Sequence, residues 1–142
     1  LCAVCQAQLR IMKVRYPKPG IVYKGAIPVA EIALNTSDKY LTILISALLG
    51  NAYKFTQEGT ISLECDRLGD DRVFVAVADT GCGIPPEKHG YVFERFTKLD
   101  PFSQGNGLGL YLCRLIVTRL GGAIRVCPDY RAGCCIEITL PY

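Results

Sequence analysis

An asparagine and a lysine near the end of a predicted amphipathic helix could bind a metal-bound phosphate. They occur in the segment Asn51-Ala52-Tyr53-Lys54-Phe55-Thr56. The Asn51 carboxamide offers a hard oxygen to Mg²⁺, and the Lys54 ammonium offers a mobile positive charge to phosphate. Residues three apart lie on the same side of a helix, so one ligand could reach both. A solvated polar helix end would show the same residues, and this segment alone does not separate the two interpretations.

A carboxylate and two glycines follow a predicted buried strand, in the segment Asp79-Thr80-Gly81-Cys82-Gly83-Ile84. A carboxylate at a strand end can accept a hydrogen bond from an exocyclic amine such as that of adenine. Guanine carries an oxo group at the equivalent position, which Asp79 would repel. Gly81 and Gly83 let the backbone approach a planar base or ribose closely. A plain Asp-Gly turn is the competing interpretation.

A glycine-rich segment, Gly105-Asn106-Gly107-Leu108-Gly109-Leu110, opens the last predicted helix. Free N–H groups at a helix N-terminus, approached closely through glycines, can hold a triphosphate. The segment is not a Walker A loop, because no Gly-Lys-Ser/Thr follows, and it does not follow a strand as a dinucleotide fold requires. Upstream, Phe93-Glu94-Arg95-Phe96 indicates a short helix that packs on the core and could anchor a lid.

The elements that must position these segments follow from apolar periodicity. Helices are predicted over 1–15, from an N-cap at Ser37 or Asp38 through the apolar stripe of 41–52 and the Asn51 segment, and from Gly107 to a stop at Gly121-Gly122. The last helix is expected to place its apolar side chains on one side, namely Leu108, Tyr111, Leu112, Leu115, Ile116 and Leu120. Strands are predicted over 21–23, near 31–34, over 61–65, 73–78, 123–127 and 134–140. The 73–78 strand is apolar on both faces and should be central. Tight turns between neighbouring strands favour antiparallel pairing and an α+β fold.

Length, charge and cysteine usage narrow the function classes. The 142 residues fit a single domain, 1–142, and a net charge of +3 with interspersed signs argues against nucleic-acid binding. No apolar run is long enough to cross a bilayer, so direct membrane contact is not expected. Cys2 and Cys5 form a C-x-x-C, but no second pair has the spacing that a four-ligand zinc site requires. The eight cysteines therefore indicate buried, reduced thiols in a cytoplasmic environment. The chain begins at Leu1 and is interpreted as a fragment of a larger protein.

In this order and at this spacing, the segments resemble the GHKL superfamily, specifically the catalytic ATP-binding (HATPase_c) domain of sensor histidine kinases. The resemblance is clear from about residue 38 to residue 142. The segments beginning at Asn51, Asp79, Phe93 and Gly107 look like its N, G1, F and G2 boxes. The resemblance implies the Bergerat fold, a two-layer α/β sandwich with a mixed, mostly antiparallel sheet and helices on one face.

The same resemblance implies a role for each site residue. Asn51 would ligate Mg²⁺, Lys54 would meet the phosphates of ATP, and Asp79 would read the adenine amine. The base pocket would be shaped by Gly81, Gly83 and Ile84, and the phosphates would be lined by Gly107, Leu108, Gly109 and Leu110. Residues 97–106 would form a lid that closes over the nucleotide.

Two features bear on activity. Ala47 stands where such N boxes usually carry Glu, Asn or His, so autonomous ATP hydrolysis should be poor and Mg²⁺ binding weaker. The single histidine, His89, lacks the setting of a phosphoacceptor. The acceptor should lie on an upstream helical dimerisation domain, and a response regulator receiver domain would take the phosphoryl group. The fragment alone should transfer nothing. The alternatives are a GHKL-type ATPase of the gyrase, chaperone or mismatch-repair kind and a degenerate, non-catalytic nucleotide-binding module.

Overall fold

The architecture comes from a computed structural model that describes residues 1–15, 20–29, 31–32, 34, 36–56, 58–81, 109–127 and 133–141. These residues form three helices and five strands. In chain order they are α1 (Cys2–Arg15), β1 (Ile21–Ala26), α2 (Asp38–Phe55), β2 (Gly59–Leu68), β3 (Arg72–Asp79), α3 (Gly109–Arg119), β4 (Ala123–Val126) and β5 (Cys134–Pro141).

The five strands form one sheet in the order β1-β2-β3-β5-β4. β1 pairs with β2 in parallel, and the other three pairings are antiparallel. The predicted mixed, mostly antiparallel sheet and the central place of the 73–78 strand are therefore confirmed. β3 ends at Asp79, directly opposite Cys134 at the start of β5. The end of the central strand thus carries the candidate carboxylate.

Among the described elements, the helices cover one face of the sheet and none lies on the other, which is called the open face. On β2, Ile61, Leu63 and Cys65 are buried, whereas Glu64 and Asp66 on the alternate face are exposed. α2 packs against β2 and β3, α1 against β1 and β2, and α3 against β4 and β5. The inward-facing side chains, which alternate along each strand, pack with the apolar stripe of α2 in a single core. The expected two-layer α+β sandwich is confirmed.

Side-chain and glycine caps define the helix ends. Ser37 is the N-cap of α2, and its Oγ accepts a hydrogen bond from the Lys39 N–H at 3.2 Å. This decides between the two predicted caps, since Asp38 is the first helical residue. α3 ends in a Schellman motif, in which the Gly122 N–H donates to the Val117 carbonyl at 2.9 Å and Gly121 has φ +80°. The predicted stop at these glycines is confirmed.

The strand predicted near 31–34 is wrong, because its described residues belong to no strand. The Glu31 carboxylate instead accepts hydrogen bonds from the N–H groups of Cys2 at 2.7 Å and Ala3 at 2.8 Å. It thereby satisfies free donors in the first turn of α1 and places a negative charge at the helix N-terminus. A short alternating segment cannot reveal by itself that its acid serves as a helix cap.

The predicted apolar side of α3 is also wrong in part. Leu112 and Leu115 are each 43% exposed, whereas Cys113, Ile116 and Val117 are buried. Cys113, Ile116 and Val117 form a second stripe on the side of the helix that packs on α2. The Cys113 thiol lies 3.9 Å from the Leu44 carbonyl oxygen. Both stripes have helical spacing, so packing against α2 decided which one is buried.

The cysteines follow the prediction with two exceptions. Cys2, Cys5, Cys65, Cys113 and Cys134 are buried, whereas two others, at positions 127 and 135, are half-buried. All seven are free thiols in the described part of the chain, and Cys82 lies outside it. Among the described helices, none combines the length and apolar character that a bilayer span requires.

Candidate functional site

Asp79 is a buried carboxylate with only 3% of its surface exposed. Its Oδ1 accepts a hydrogen bond from the Gly81 N–H at 2.9 Å and a longer one from the Cys134 N–H at 3.4 Å. The two donors hold the carboxyl group in one orientation at the end of the central strand.

Burial raises the pKa of Asp79 above its ordinary value of 3.8. The hydrogen bonds from Gly81 and Cys134 and the nearby Thr56 side chain act in the opposite direction but do not outweigh burial. A buried carboxylate gains most from hydrogen-bond donors that reach it in a dry environment. The site therefore favours a ligand with an N–H or N–H₂ group aimed at this residue.

Thr56 is a site residue that the sequence did not single out. It follows α2 directly, is fully buried at 0% exposure, and lies close enough to the Asp79 carboxylate to lower its pKa. It also ends the helix, since its N–H donates to the Tyr53 carbonyl at 3.4 Å. Its position as the last residue of the Asn51 segment was the one available signal. The contact joins the end of α2 to the end of β3.

Gly133 is a second residue that the sequence did not single out. A Cβ added there would lie 2.2 Å from the Asp79 carbonyl oxygen and 2.8 Å from the Gly81 nitrogen. Both atoms belong to backbone, so no side chain could rotate away. A glycine directly before β5 is therefore required by the close approach of this strand to the Asp79 segment. A glycine before a strand is a weak signal when the neighbouring segment is unknown.

Thr80 ties the same segment to β2. Its Oγ1 accepts a hydrogen bond from the Thr60 N–H at 3.0 Å, and its own N–H donates to the Thr60 carbonyl at 3.2 Å. Hydrogen bonds from both sides thus fix residues 79–81, for which the sequence left a plain Asp-Gly turn as the competing interpretation. The geometry from Asp79 to Gly81 is set by β2, β5 and the end of α2.

Asn51 and Lys54 lie on α2, in the last two turns before Thr56. Asn51 is half-buried and Lys54 is exposed. With a rise of about 1.5 Å per helical residue, Asn51 lies roughly 7 Å along the axis from Thr56, and Thr56 lies beside Asp79. The structure therefore brings the amide and the carboxylate to the same end of the sandwich. Ala47, one turn before Asn51, is half-buried and packs against the core.

Gly109 is the first residue of α3, and Leu110 in its first turn is half-buried against the core. α3 packs directly on α2, which places the two helices that carry the predicted phosphate and metal ligands side by side. The other predicted residues lie outside the described part of the chain. These are Gly83, Ile84, Gly107 and Leu108, together with His89, the Phe93 segment and the predicted lid.

A family model agrees with this arrangement. The model described as "Histidine kinase-, DNA gyrase B-, and HSP90-like ATPase" matches residues 36–142, which include α2, the Asp79 segment and α3. The chain belongs to this ATPase family. The predicted GHKL membership is thereby confirmed, and the described sheet and helices form its nucleotide-binding sandwich.

Within this ATPase family, the chain is similar to histidine kinases. The adaptive-response sensory kinase SasA of Gloeothece citriformis (strain PCC 7424) is 33% identical over 141 residues, which are 97% of this chain and 36% of that protein. The sensor histidine kinase AruS of Pseudomonas aeruginosa is 40% identical over 98 residues, which are 63% of this chain and 10% of that protein. The chain therefore spans about a third or less of these curated relatives.

Solved structures agree in fold. Full-length ShkA in complex with AMPPNP superimposes with a TM-score of 0.85 at 28% identity, over 99% of this chain and 29% of that one. The mycobacterial sensor histidine kinase MprB superimposes with a TM-score of 0.78 at 27% identity, over 98% of this chain and 92% of that one. The expected Bergerat-type sandwich of the ATPase family is confirmed.

In the described residues, no group of three or more His, Cys, Asp or Glu side chains is arranged to hold a metal ion. The half-buried Asn51 carboxamide would be the protein ligand of a Mg²⁺ ion here. Mg²⁺ commonly keeps few protein ligands and completes its shell with water and phosphate, so Asn51 fits such a site.

Proposed function

We propose that this chain is the ATP-binding catalytic domain of a sensor histidine kinase, with residues 1–142 as a single domain. The single observation that carries the proposal is the buried Asp79 carboxylate, fixed through Oδ1 by two backbone donors at the end of the central strand. Membership of the histidine kinase-like ATPase family and the likeness to named histidine kinases support it.

Adenine recognition by Asp79 follows from the donor-acceptor chemistry. A carboxylate in a dry site pays a desolvation cost that an additional donor offsets, and the adenine exocyclic amine is such a donor. The guanine oxo group would face the same carboxylate as a second acceptor. Gly81, Gly83 and Ile84 shape the base pocket in this proposal, because glycine backbone allows the ring to approach closely.

The phosphates are assigned to the two neighbouring helices. The Asn51 carboxamide holds Mg²⁺, and the Lys54 ammonium approaches the phosphate oxygens. When bound, Mg²⁺ supplies charge neutralisation on the phosphate oxygens. Gly107, Leu108, Gly109 and Leu110 place the N-terminal N–H groups of α3 against the triphosphate. Phosphoryl transfer depends largely on positioning and charge neutralisation, so these residues orient the γ-phosphoryl group for its acceptor.

The acceptor is proposed to be a histidine on an upstream helical dimerisation domain, from which a response regulator receiver domain takes the phosphoryl group. The chain spans only a fraction of its curated relatives, which leaves room for such domains in the parent protein. A cytoplasmic location is proposed from the free thiols of the described part. We expect no nucleic-acid partner and no direct membrane contact by this domain.

Ala47 favours a transferase over an autonomous ATPase. A methyl group one turn before Asn51 cannot act as a general base for water. A gyrase- or chaperone-like module would turn over ATP steadily, and a degenerate binding module would bind nucleotide without supporting transfer. Steady-state ATP hydrolysis by the isolated chain distinguishes our proposal from a gyrase- or chaperone-like module. We expect the hydrolysis rate to be close to background.

Nucleotide titration tests the proposal directly. The chain is titrated with ATP and with GTP in the presence of Mg²⁺, and heat release or fluorescence is followed. We expect saturable binding of ATP and much weaker binding of GTP. Equal affinity for the two nucleotides, or binding of neither, would contradict the assignment of Asp79.

Phosphoryl transfer is tested by adding the proposed acceptor domain. The upstream helical domain of the parent protein is supplied with the chain and radioactive ATP, and the label is located. We expect an acid-labile label on a histidine of the added domain and none on the chain alone. ATP binding without any transfer would favour the non-catalytic module.

A further inference from the structure

Cys127 and Cys135 are directly opposed across two antiparallel strands. The register of β4 and β5 pairs Val126 with Ile136, and its next step pairs Cys127 with Cys135. The Cys127 N–H donates to the Cys135 carbonyl at 2.8 Å, which extends the ladder to this pair. Opposed residues in an antiparallel pair have Cα atoms about 4.5–5.5 Å apart. That separation lies within the span of about 4.4–6.8 Å that a disulfide bridges.

Both thiols lie on the open face of the sheet. Cys134 and Ile136 face the core and are buried, so Cys135 between them points to the opposite face. The exposed ion pair of Arg125 with Glu137 lies one step along the same face, at 3.3 Å. Cys127 and Cys135 are each half-buried. A small oxidant reaches them without any movement of the helices.

The two thiols are neighbours on the same face of the sheet. Burial, as the larger cause, and a hydrogen bond with the Cys127 thiol raise the pKa of Cys135. A directly opposed pair of this kind needs no backbone rearrangement to join. Other cysteines with neighbouring sulfurs are fully buried, as Cys5 and Cys65 are.

We propose that Cys127 and Cys135 form a thiol-oxidation site, which a hydroperoxide converts into a cross-strand disulfide. This inference does not depend on nucleotide binding. It assigns a chemical role to the two cysteines that differ from the buried thiols of the core.

The reaction proceeds in two steps with a hydroperoxide as the oxidant. The Cys127 sulfur attacks one peroxide oxygen and breaks the O–O bond, which gives a sulfenic acid on Cys127 and releases an alcohol, or water from hydrogen peroxide. The Cys135 sulfur then attacks the Cys127 sulfur, and the sulfenic hydroxyl leaves with the Cys135 proton as water. The two thiols lose two electrons and two protons, and the peroxide is reduced.

The order of the two steps follows from the environment of Cys135. Because burial favours its protonated form, Cys135 is the poorer first nucleophile and resolves the sulfenic acid instead. The thiolate is the reactive species, so the rate of disulfide formation should rise with pH.

Thiol mapping tests the site on the whole chain. The reduced protein is exposed to hydrogen peroxide, denatured, alkylated and analysed by mass spectrometry with fragmentation. We expect a product that carries two fewer alkyl groups than the reduced chain, with one bond between Cys127 and Cys135 that dithiothreitol reverses. An unchanged mass, an over-oxidised Cys127 without a bond, or a bond between two chains would overturn the proposal.

Matched variants separate neighbouring cysteines. Cys127→Ser and Cys135→Ser should each lose the cross-link, whereas Cys134→Ala should keep it, because Cys134 faces the core. A cross-link that disappears in Cys134→Ala but persists in Cys135→Ser would show that Cys134 forms the bond in place of Cys135. That result would overturn the proposal. If a variant fails to fold, the fragmentation map of the unchanged protein decides by itself.

Discussion

Gly133 lies against the backbone of Asp79, so closely that a Cβ at position 133 would stand 2.2 Å from the Asp79 carbonyl oxygen. This contact joins the start of β5 to the end of β3. The absence of a side chain at Gly133 therefore lets β5 hold the backbone of the candidate adenine-binding residue in place.

Gly133→Ala should therefore destabilise the protein and weaken ATP binding. The added methyl group must push backbone apart, and overpacking of this kind costs about 1–3 kcal/mol. The displacement would disturb the hydrogen bonds from Gly81 and Cys134 to Asp79. Urea unfolding and ATP titration measure the two effects.

Gly50→Ala is the matched control for this substitution. Gly50 is exposed in α2, and an added Cβ meets nothing within 4 Å. We expect the free energy of unfolding to rise by about 0.8–1.0 kcal/mol, since alanine has the higher helix propensity. The same change in stability for both variants would refute the close approach at Gly133.

Asp79→Asn should weaken ATP binding. The substitution keeps the shape but replaces an ionised acceptor with a neutral amide, and hydrogen bonds to charged groups contribute about 1.5–3 kcal/mol. The expected loss of ATP affinity is roughly 10- to 100-fold, measured by calorimetry. Asp71→Asn, at an exposed turn, should leave ATP affinity unchanged. Undiminished ATP affinity in the Asp79 variant would remove this residue from the site.

The stability of Asp79→Asn relative to the wild type should depend on pH in a defined direction. Burial raises the folded-state pKa of Asp79 above 3.8, so folding favours the protonated carboxyl. Its contribution to the free energy of unfolding is fully present below pH 3.8 and is lost as pH rises through the folded-state pKa. Because asparagine is always neutral, Asp79→Asn should gain stability relative to the wild type over this interval. Denaturant unfolding across the acidic to neutral range measures the difference.

A constant difference between the two proteins at every pH would contradict this direction, and so would a relative gain by the wild type on raising the pH. Asp71→Asn again provides the reference, since it removes an exposed carboxylate from the turn between β2 and β3.

Asn51→Ala should reduce the part of ATP affinity that Mg²⁺ supplies. We expect a loss of about tenfold or more in that part, the scale on which even supporting residues of metal sites act. ATP titrations with Mg²⁺ and with a chelator separate it from binding of the base. Ser46→Ala, exposed on the same helix, is the control. An Asn51 variant that retains the full Mg²⁺ effect would remove Asn51 from the metal site.

Local sequence patterns were sufficient for much of the fold. The 41–52 stripe predicted α2, the doubly apolar segment predicted the central strand, and Gly121-Gly122 predicted the end of α3, because each signal lies within a few neighbouring residues. The order of the four boxes was sufficient to indicate the family, which the family model confirms.

Predictions failed where the deciding partner was distant in sequence. Glu31 resembles part of a strand, but the N-terminus of α1 uses its carboxylate as a cap. Leu112 and Leu115 have helical spacing as regular as that of the buried stripe, and the packing of α3 on α2 selected the other side.

The sequence by itself determined which residues could contact a nucleotide and in what order they occur, because residue type and local spacing carry donor, acceptor and helix signals. Only the tertiary structure decided that Asp79 is buried, that Thr56 lies beside it, and that Gly133 permits β5 to approach it. The physical reason is that burial and backbone contact arise between segments separated by tens of residues, which no local pattern records.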